Sequence, residues 1–395
     1  MLNDAIVERV RAEIAAILPE VVSLRHRIHE EPEIGFDEHR TRAKLAAFLD
    51  GTGLTLREPL IGTDLIAELP GRSPTLLALR ADIDALPIME TSGAPYASRI
   101  PGMMHACGHD AHASMLAGAA TVLDRLRDEL PVSLRFVFQP AEEMVAGGAK
   151  LIAAGAADGA VAAYALHGWP GPPMGSVNCK TGPLFAVSAT YEATFSGRGG
   201  HAAQPHLTRN PNAAMARAAV ALQELHDQVQ AESGSVISVS ILDGGSATNV
   251  IPGQTRMAGT IRYLDPSHGT EICERIRAAI ETATAQTPDI TADVSFDCKY
   301  RFPVLNSPPH VARVAELAKA YAPGGYAEVA ESSMGAEDFA FFLQDRPGAM
   351  FLIGLGPEQP GLHHPAFNFP DAALPAGILM FCLLALSADP DTLGE

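Results

Sequence analysis

The sequence is poor in cysteine, poor in positive charge and without a long apolar run, and each shortage excludes a class of protein. Its five cysteines are odd in number and irregular in spacing, which argues against a disulfide framework and favours a reducing compartment. They are Cys107, Cys179, Cys273, Cys298 and Cys382. No apolar run reaches the roughly 18 residues that indicate a membrane-spanning helix. No transmembrane segment is therefore predicted.

Positive charge is scarce, with 28 Lys and Arg against 46 Asp and Glu and a formal net charge of −18. Such a chain has no bulk attraction to phosphate backbones or anionic lipid, so neither nucleic acid nor a membrane is expected as a partner. A hydrophobic fraction of 47% and a charged fraction of 19% exclude an intrinsically disordered chain. The charged, amphipathic N-terminal stretch lacks the pattern of a signal peptide, so we expect a cytoplasmic protein.

Short apolar runs alternate with helical patterns over most of the chain. The first fifty residues show helical spacing that is interrupted at Pro32. Buried strands are predicted at 75–79, 132–138, 160–166 and 350–355, and helices around 113–126 and 148–154. This alternation predicts an α/β fold with a mostly parallel sheet flanked by helices.

The pattern changes near Gly182 and returns to alternation after Arg301. Between them the predicted order is β-α-β-β-α-β, which is the ferredoxin-like arrangement. The strands are predicted at 187–195, 236–242, 254–263 and 290–299, and the helices at 212–228 and 271–285. We therefore predict a catalytic domain of residues 1–183 and 301–395 with an inserted α+β lid domain, 184–300, joined by two crossings.

Polar residues follow the predicted strands of the α/β part. Asp82 and Asp84 follow the first strand, Glu142 and Glu143 the second, His167 ends the third, and the pair at 363–364 follows the fourth. Ligands bind beyond the carboxyl ends of the strands in open α/β sheets, so these side chains should converge at one edge. Cysteine, histidine and carboxylate are metal-ligand types, although a lone Cys or His is more often a buried or hydrogen-bonded residue.

Two short spacings favour metal chemistry. Cys107 and His109 are two residues apart and point the same way in an extended loop, with Gly108 permitting a tight backbone between them. Glu142 and Glu143 are adjacent and diverge, so one can bind a metal while the other acts as general base. That division of roles suits metal-assisted hydrolysis.

Nine segments along the chain resemble the metal-dependent amidohydrolases of peptidase family M20, subfamily D. That group includes hippurate hydrolases, N-acyl-amino-acid amidohydrolases and the plant hydrolases of auxin–amino acid conjugates. The segments are RHRIHEEPEIGFDE (25–38), RADIDALPIME (80–90), HACGHDAH (105–112), FQPAEE (138–143), ALHGWP (165–170), GRGGHAAQPH (197–206), GTIR (259–262), MGAEDFAFF (334–342) and LHHPAF (362–367). They span nearly the whole chain in the family's order.

The resemblance implies two divalent metal ions per chain, Zn or Mn, with Co or Ni possible. The implied ligands are a bridging Cys107 together with His109, Glu143, His167 and His363. Glu142 would be the catalytic acid and base, and Asp84 would hold a ligand histidine in its tautomer. His363 is preferred to His364 because the family's ligand follows the leucine directly. His105 and His112 are expected to be packing or supporting residues.

The resemblance also assigns roles in the lid. His201 would point at the substrate carbonyl oxygen, and Asn249 and Arg262 would bind the substrate carboxylate. In the resembled family the lids often pair, which implies a homodimer in which the loop histidine reaches the neighbouring subunit. Met334 and Phe339 would either line a substrate pocket or belong to the core.

The predicted function is hydrolysis of the amide bond of an N-acyl amino acid, of N-acetyl, N-benzoyl or related type. Three alternatives stay open from the residues. The first is a cysteine enzyme with Cys107 as nucleophile, which would be indifferent to chelators. The second is a non-catalytic ligand-binding protein on the same fold, and the third is a metallo-dipeptidase or aminopeptidase, which would need an acidic partner for the substrate ammonium.

Overall fold

The computed structural model describes residues 2–145 and 147–395, which form two compact units. The larger unit runs to Leu184 and includes Val304–Glu331 and Glu337–Glu395. The smaller unit comprises Phe185–Pro303 and Ser332–Ala336. The expectation of two crossings near Gly182 and Arg301 did not include the segment 332–336, which joins the smaller unit through its backbone: the Ala186 N–H donates to the carbonyls of Ser333 and Gly335.

The strands within the described residues are short and spread along the whole chain. In chain order they are β1 Thr55–Leu56, β2 Leu65–Leu69, β3 Ser73–Asp82, β4 Val132–Gln139, β5 Ala160–Trp169, β6 Val177–Cys179, β7 Gly182–Phe185, β8 Val187–Ser196, β9 Gly200–His201, β10 Val236–Asp243, β11 Val250–Ile251, β12 Gln254–Tyr263, β13 Thr291–Tyr300, β14 Val304–Asn306, β15 Tyr326–Glu328 and β16 Gly348–Gly354.

The helices lie between these strands. They are α1 Asp4–His29, α2 His39–Phe48, α3 His109–Arg125, α4 Glu142–Val145, α5 Gly147–Ala153, α6 Asn212–Ser233, α7 His268–Ala285, α8 Pro308–Tyr321 and α9 Leu374–Leu386. None of the described helices is both long and apolar enough to cross a membrane.

A mostly parallel sheet forms the centre of the larger unit. Its strand order is β1-β2-β4-β3-β5-β16-β6-β15, and the central neighbours β4, β3, β5 and β16 run parallel. Every residue of β16 is buried, as expected for a strand with both faces covered. The α/β fold with a mostly parallel sheet is therefore confirmed. The strands predicted at 75–79, 132–138, 160–166 and 350–355 are β3, β4, β5 and β16.

Helices α1, α3 and α9 pack together and share one hydrophobic core with the sheet. Helix α9 has the sequence LPAGILMFCLLAL and is buried along nearly its whole length, which suits a helix that is apolar on all sides. Helix α3 is likewise buried over most of its 17 residues. The N-terminus of α3 is therefore fixed by packing, and the residues that precede it are held against the sheet.

The smaller unit has the ferredoxin-like order β8, α6, β10, β12, α7, β13. Its sheet is antiparallel with the strand order β10-β12-β8-β13. Alternate residues of β8, including Val187, Tyr191 and Phe195, are buried against a core that also contains Leu222 of α6 and Ile276 of α7. One face of the sheet is thus covered by both helices, and β10 and β13 are its edges.

Arg25 ties the N-terminal helix to the loops around α3. It is fully buried, and its Nε donates to Asp110 Oδ2 at 3.0 Å. Its two terminal nitrogens donate to Asp371 Oδ1 and to Asn368 Oδ1, each at 2.5 Å. Asp110 also lies 2.9 Å from His29 Nδ1. This buried network joins α1, the first turn of α3 and the segment before α9.

We expect Arg25→Met to lower the free energy of unfolding by about 3–5 kcal/mol, the usual effect of removing one partner from a buried ion pair. The substitution leaves the Asp110 carboxylate buried without its main countercharge. Urea unfolding of the purified protein measures the change. Arg27→Met, at an exposed position two residues further along α1, is the matched control and should change stability little. Equal stability of the two variants would contradict a structural role for the Arg25 network.

Candidate metal centre and active site

The five predicted metal ligands and Glu142 come together at the carboxyl edge of the parallel sheet. Two groups of donor atoms, each lying within 4.8 Å of one another, share a cysteine. The first group is Cys107, His109 and His167, and the second is Cys107, Glu143 and His363. Cys107 and His109 precede and begin α3, the glutamates follow β4, His167 lies near the end of β5, and His363 follows β16.

Gly108 has a left-handed backbone conformation that places Cys107 and His109 relative to each other. Gly108 has φ of +89°, and a Cβ at this position would lie 2.9 Å from the ring of Phe369. The backbone therefore turns sharply between Cys107 and His109, and a larger residue would both strain the turn and meet the aromatic ring. The tight backbone expected at Gly108 is present, but the segment is a turn rather than the extended loop that the sequence suggested.

Asp84 orients two of the candidate ligands. His109 Nδ1 lies 3.0 Å from the Asp84 carbonyl oxygen, which can only accept, so the proton is on Nδ1 and donates to it. The same nitrogen lies 3.2 Å from Asp84 Oδ1. Asp84 Oδ2 accepts the backbone N–H of Glu143 at 3.1 Å. The Nε2 atom of His109 is thereby turned toward the donor groups, an arrangement typical of metal-binding histidines.

His112 positions the residue after His167. Its Nδ1–H donates to Asp82 Oδ1 at 2.7 Å, and its Nε2 accepts the backbone N–H of Gly168 at 2.8 Å. His167 in turn donates from Nδ1 to the Gly168 carbonyl at 2.8 Å, which leaves the lone pair on Nε2. That nitrogen lies 3.4 Å from Cys107 Sγ. His112 thus supports the strand end that carries His167, as expected for a supporting residue.

His363 reaches the centre from a strained backbone. Its φ is +63°, a left-handed value that is uncommon for a non-glycine residue, and its N–H donates to the Ala106 carbonyl at 2.8 Å. His363 Nε2 lies 3.1 Å from Glu143 Oε1. The neighbouring His364 instead accepts the N–H of Ala366 on its Nδ1 at 3.1 Å. Of the two histidines, the structure brings His363 to the donor group.

Glu142 is buried among other carboxylates. Burial raises its pKa well above the ordinary value, and the charges of Glu337, Glu143 and Asp338 add to the effect. Glu142 Oε1 accepts the backbone N–H of Asp338 at 3.3 Å. A carboxylate that is kept basic in this way and stands beside a candidate ligand is suited to take up a proton.

A buried arginine behind Glu142 compensates part of the negative charge. Arg80 is fully buried and donates to Asp82 Oδ2 at 2.7 Å and to Asp338 Oδ1 at 2.8 Å, and it lies 3.0 Å from Glu337 Oε1. Asp338 also accepts from the Gln139 amide and from the Gly148 N–H. Sequence interpretation considered only Met334 and Phe339 in this motif. Phe339 is buried and stacks on a neighbouring phenylalanine, so it belongs to the core.

The unpaired polar atoms of the centre fit divalent cations. Among the described residues His109 Nε2 is buried without a hydrogen-bond partner. Burial alone would lower the pKa of His109, but the Asp82 charge and the Asp84 contact raise it to about 10. Burial and the nearby carboxylates raise the pKa of the Cys107 thiol well above its usual value. A site that holds a proton on an imidazole and a thiol among carboxylates is one in which a metal ion can replace those protons.

His201 and Asn249 lie together in the smaller unit. His201, on β9, is paired with Val250 of β11, and the Asn249 carbonyl accepts the N–H of Ala202 at 3.0 Å. Both residues are exposed and lie beyond the start of β12.

Arg262 lies at the other end of β12, opposite Ser188. The eight residue-to-residue steps from Gln254 to Arg262 put the two ends of the strand about 26 Å apart at 3.3 Å per step. Within one copy, Asn249 and Arg262 therefore cannot bind the same carboxylate.

Comparison with known proteins agrees with the nine sequence segments. The profile of peptidase family M20/M25/M40 matches residues 78–387. The chain is 35% identical over 373 residues to the N-acetylcysteine deacetylase of Bacillus subtilis (strain 168), covering 93% of this chain and 96% of that protein. It is also 35% identical over 373 residues to IAA-amino acid hydrolase ILR1-like 5 of Arabidopsis thaliana, covering 92% and 86%.

The fold is shared with a solved relative. The crystal structure of the Bacillus subtilis YXEP protein, described as a dinuclear metal binding peptidase from the M20 family, superposes with a TM-score of 0.81 at 32% identity. The match covers 94% of this chain and 98% of that one. The resemblance found in the sequence is thus confirmed, and the chain belongs to peptidase family M20/M25/M40 and is a metal-dependent amidohydrolase.

Proposed function

We propose that this protein is a two-metal amidohydrolase that cleaves N-acyl amino acids to a carboxylate and a free amino acid. The observation that carries the proposal is the pair of donor groups that share Cys107, with Glu142 buried beside them. The similarity to an N-acetylcysteine deacetylase and to an IAA-amino acid hydrolase supports this substrate class.

In this proposal Cys107 would be shared by two metal sites, because it belongs to both donor groups. The ligands are Cys107, His109, Glu143, His167 and His363. When bound, two divalent ions would supply a Lewis acid for the scissile carbonyl and would acidify the attacking water. The thiolate and imidazoles favour a borderline ion such as Zn²⁺, and the carboxylate also suits Mn²⁺, with Co²⁺ or Ni²⁺ as alternatives.

Glu142 is the proposed acid and base. Its raised pKa lets it take a proton from the attacking water and return that proton to the leaving amine. The hydrogen bond from the Asp338 N–H to Oε1 holds this carboxyl group in place. The raised pKa of the Cys107 thiol argues against a cysteine nucleophile, which would need a lowered value.

The geometry of the smaller unit supports a homodimer in which two copies complete each active site. Arg262 lies at the end of the sheet where the chain enters the unit, opposite Ser188, whereas His201 and Asn249 lie at the far end. Because residues at both ends of this sheet are proposed to contact a substrate, we infer that they contact different ones. Arg262 would act on the substrate of its own chain, and His201 and Asn249 on that of the partner. Burial lowers the pKa of Arg262, and a partly desolvated guanidinium gains from a substrate carboxylate.

An exposed edge offers a route to pairing. Strand β10 is an edge of the sheet, and its Ile241 and Leu242 are 41% and 55% exposed. Val220 on α6 is 61% exposed. Unpaired edge strands with apolar side chains are ready partners for another copy.

A substrate panel tests the proposed function. N-acetyl, N-benzoyl and indole-acetyl amino acids should be hydrolysed, and their methyl esters much more slowly because the proposed anchor is a guanidinium. Dipeptides with a free amine should be poor substrates because the proposed site assigns no acidic partner to their ammonium. A chelator should abolish turnover and added Zn²⁺ or Mn²⁺ should restore it, as measured by release of the free amino acid. Activity that survives complete metal removal but is lost on thiol alkylation and in Cys107→Ala would instead identify Cys107 as the nucleophile.

Glu142→Gln should lower kcat by at least about 10²-fold, the usual contribution of a positioned acid and base. The amide keeps the shape and the acceptor for the Asp338 N–H but cannot take up the proton. Steady-state kinetics and elemental analysis on the same sample separate this loss from loss of metal. Glu316→Gln, at a half-exposed position of α8, is the control and should match the wild type. Near-normal turnover by Glu142→Gln would remove this residue from the mechanism.

Subunit complementation tests the division of roles in the dimer. Mixing Glu142→Gln with His201→Ala and allowing subunit exchange should regenerate activity above both parents, because one site of the mixed dimer is intact. Mixing Glu142→Gln with Arg262→Ala should not regenerate activity. In that mixed dimer one site lacks the Glu142 carboxylate and the other lacks the Arg262 guanidinium, so neither site is intact. Glu142→Gln mixed with His109→Ala is the negative control. Restoration by Arg262→Ala, or failure of His201→Ala despite proven exchange, would contradict the proposed arrangement.

A further inference from the structure

The last residue of the N-terminal motif reaches the segment that carries the glutamates. Glu38 is fully buried, and its Oε1 accepts the backbone N–H of Ala141 at 2.9 Å, across 103 positions of sequence. Ala141 lies between Pro140 and Glu142 and has φ of +58°. Its side chain is buried and contributes nothing that favours this left-handed conformation. The hydrogen bond that the Ala141 N–H donates to Glu38 holds the backbone in this conformation.

The backbone of this short segment is held at three points. The Ala141 N–H is bound by Glu38, the Ala141 carbonyl accepts the N–H of Gly147 at 2.8 Å, and the Glu143 N–H donates to Asp84 at 3.1 Å. Glu38 holds the first of these points. Without it the Ala141 N–H would be buried and unpaired, and the segment would gain by rotating away from the left-handed conformation.

We propose that Glu38 is a positioning residue for the proposed base: by fixing Ala141 in the left-handed conformation, it sets the directions in which Glu142 and Glu143 leave the backbone. The inference rests on the proposed role of Glu142. A change of φ at Ala141 rotates both glutamates together, away from the donor groups that contain Glu143 and away from the Asp338 N–H that holds Glu142. A displacement of about 1 Å is enough to cost on the order of 10²-fold in rate.

Glutamine should replace Glu38 well. Burial raises the pKa of Glu38 to about 7, and the nearby Asp84 charge adds to the effect. A glutamine carries the same acceptor oxygen at the same distance from the backbone, and the raised pKa means that the site holds an uncharged side chain more readily than an ordinary glutamate site does. Methionine has a similar length and no such oxygen. The pair Glu38→Gln and Glu38→Met therefore isolates the hydrogen bond to Ala141.

The experiment compares kcat, KM and amide hydrogen exchange in these two variants and in a control. Glu38→Met should lower kcat at least about 10-fold with KM changed little, and Glu38→Gln should keep kcat within about 3-fold, since only the first misplaces the base. In the metal-free protein, exchange at the Ala141 amide should be faster in Glu38→Met and unchanged in Glu38→Gln. This second readout does not depend on activity.

Glu33→Met is the matched control. Glu33 is a buried glutamate of the same motif, but its carboxylate binds the N–H and hydroxyl of Thr41 at the start of α2. Its loss should reduce stability without lowering kcat of the folded protein. A kcat loss in Glu33→Met equal to that in Glu38→Met would show general loosening and overturn the proposal.

Two further comparisons keep the inference testable. Ala141→Gly removes the steric penalty of the left-handed conformation, so Glu38→Met should lower kcat less in that background than in the wild type. Equal losses of kcat in the two backgrounds would contradict the proposal.

If Glu38→Met does not fold, Glu38→Asp replaces it, because the aspartate carboxyl stops one methylene short of the Ala141 N–H. Full kcat and normal hydrogen exchange in Glu38→Asp would also contradict the proposal. Failure of the base assignment is distinct, since it would show as an active Glu142→Gln.

Discussion

The concentration of carboxylates at the carboxyl edge of the parallel sheet is the constraint on which the rest of this structure depends. Burying several negative charges is costly unless cations or hydrogen bonds compensate them. Arg80 compensates Asp82, Glu337 and Asp338 behind the site, but it does not reach the front, where the donor groups around Cys107 lie. The edge is therefore left with an excess of negative charge that cations at the donor groups would compensate.

The supporting residues act mainly on backbone groups rather than on ligand side chains. Asp84 holds the Glu143 N–H, His112 holds the Gly168 N–H and Glu38 holds the Ala141 N–H. Each of these N–H groups lies at or next to a residue of the proposed centre. These hydrogen bonds fix the backbone position of each proposed ligand residue. Only the rotamer of its side chain then stays free to adjust to a metal ion.

Much of the fold was predictable because the parallel strands are continuous apolar runs. The polar residues at the ends of β3, β4 and β5 also predicted that the site lies at the carboxyl edge of the sheet. Helix α9 was not predicted, because it has no polar face and its sequence therefore shows no helical period of apolar and polar residues. The roles of Glu38 and Asp338 were not predicted, because a buried glutamate that binds a backbone 103 positions away looks in sequence like any surface acid. The separation of Asn249 from Arg262 also needed the strand register, which spacing in sequence does not reveal.

Two strained backbone positions adjoin or belong to the proposed centre. Four non-glycine residues in the described chain have positive φ, and two of them, Ala141 and His363, adjoin or belong to the proposed site. A left-handed alanine or histidine costs about 1–2 kcal/mol, which the chain would avoid by relaxing if nothing opposed it. Each has a buried or short hydrogen bond that opposes relaxation, from Ala141 to Glu38 and from His363 to the Ala106 carbonyl. The packing and hydrogen bonding of the larger unit thus hold these two backbone positions beside the proposed ligands against the cost of their conformation.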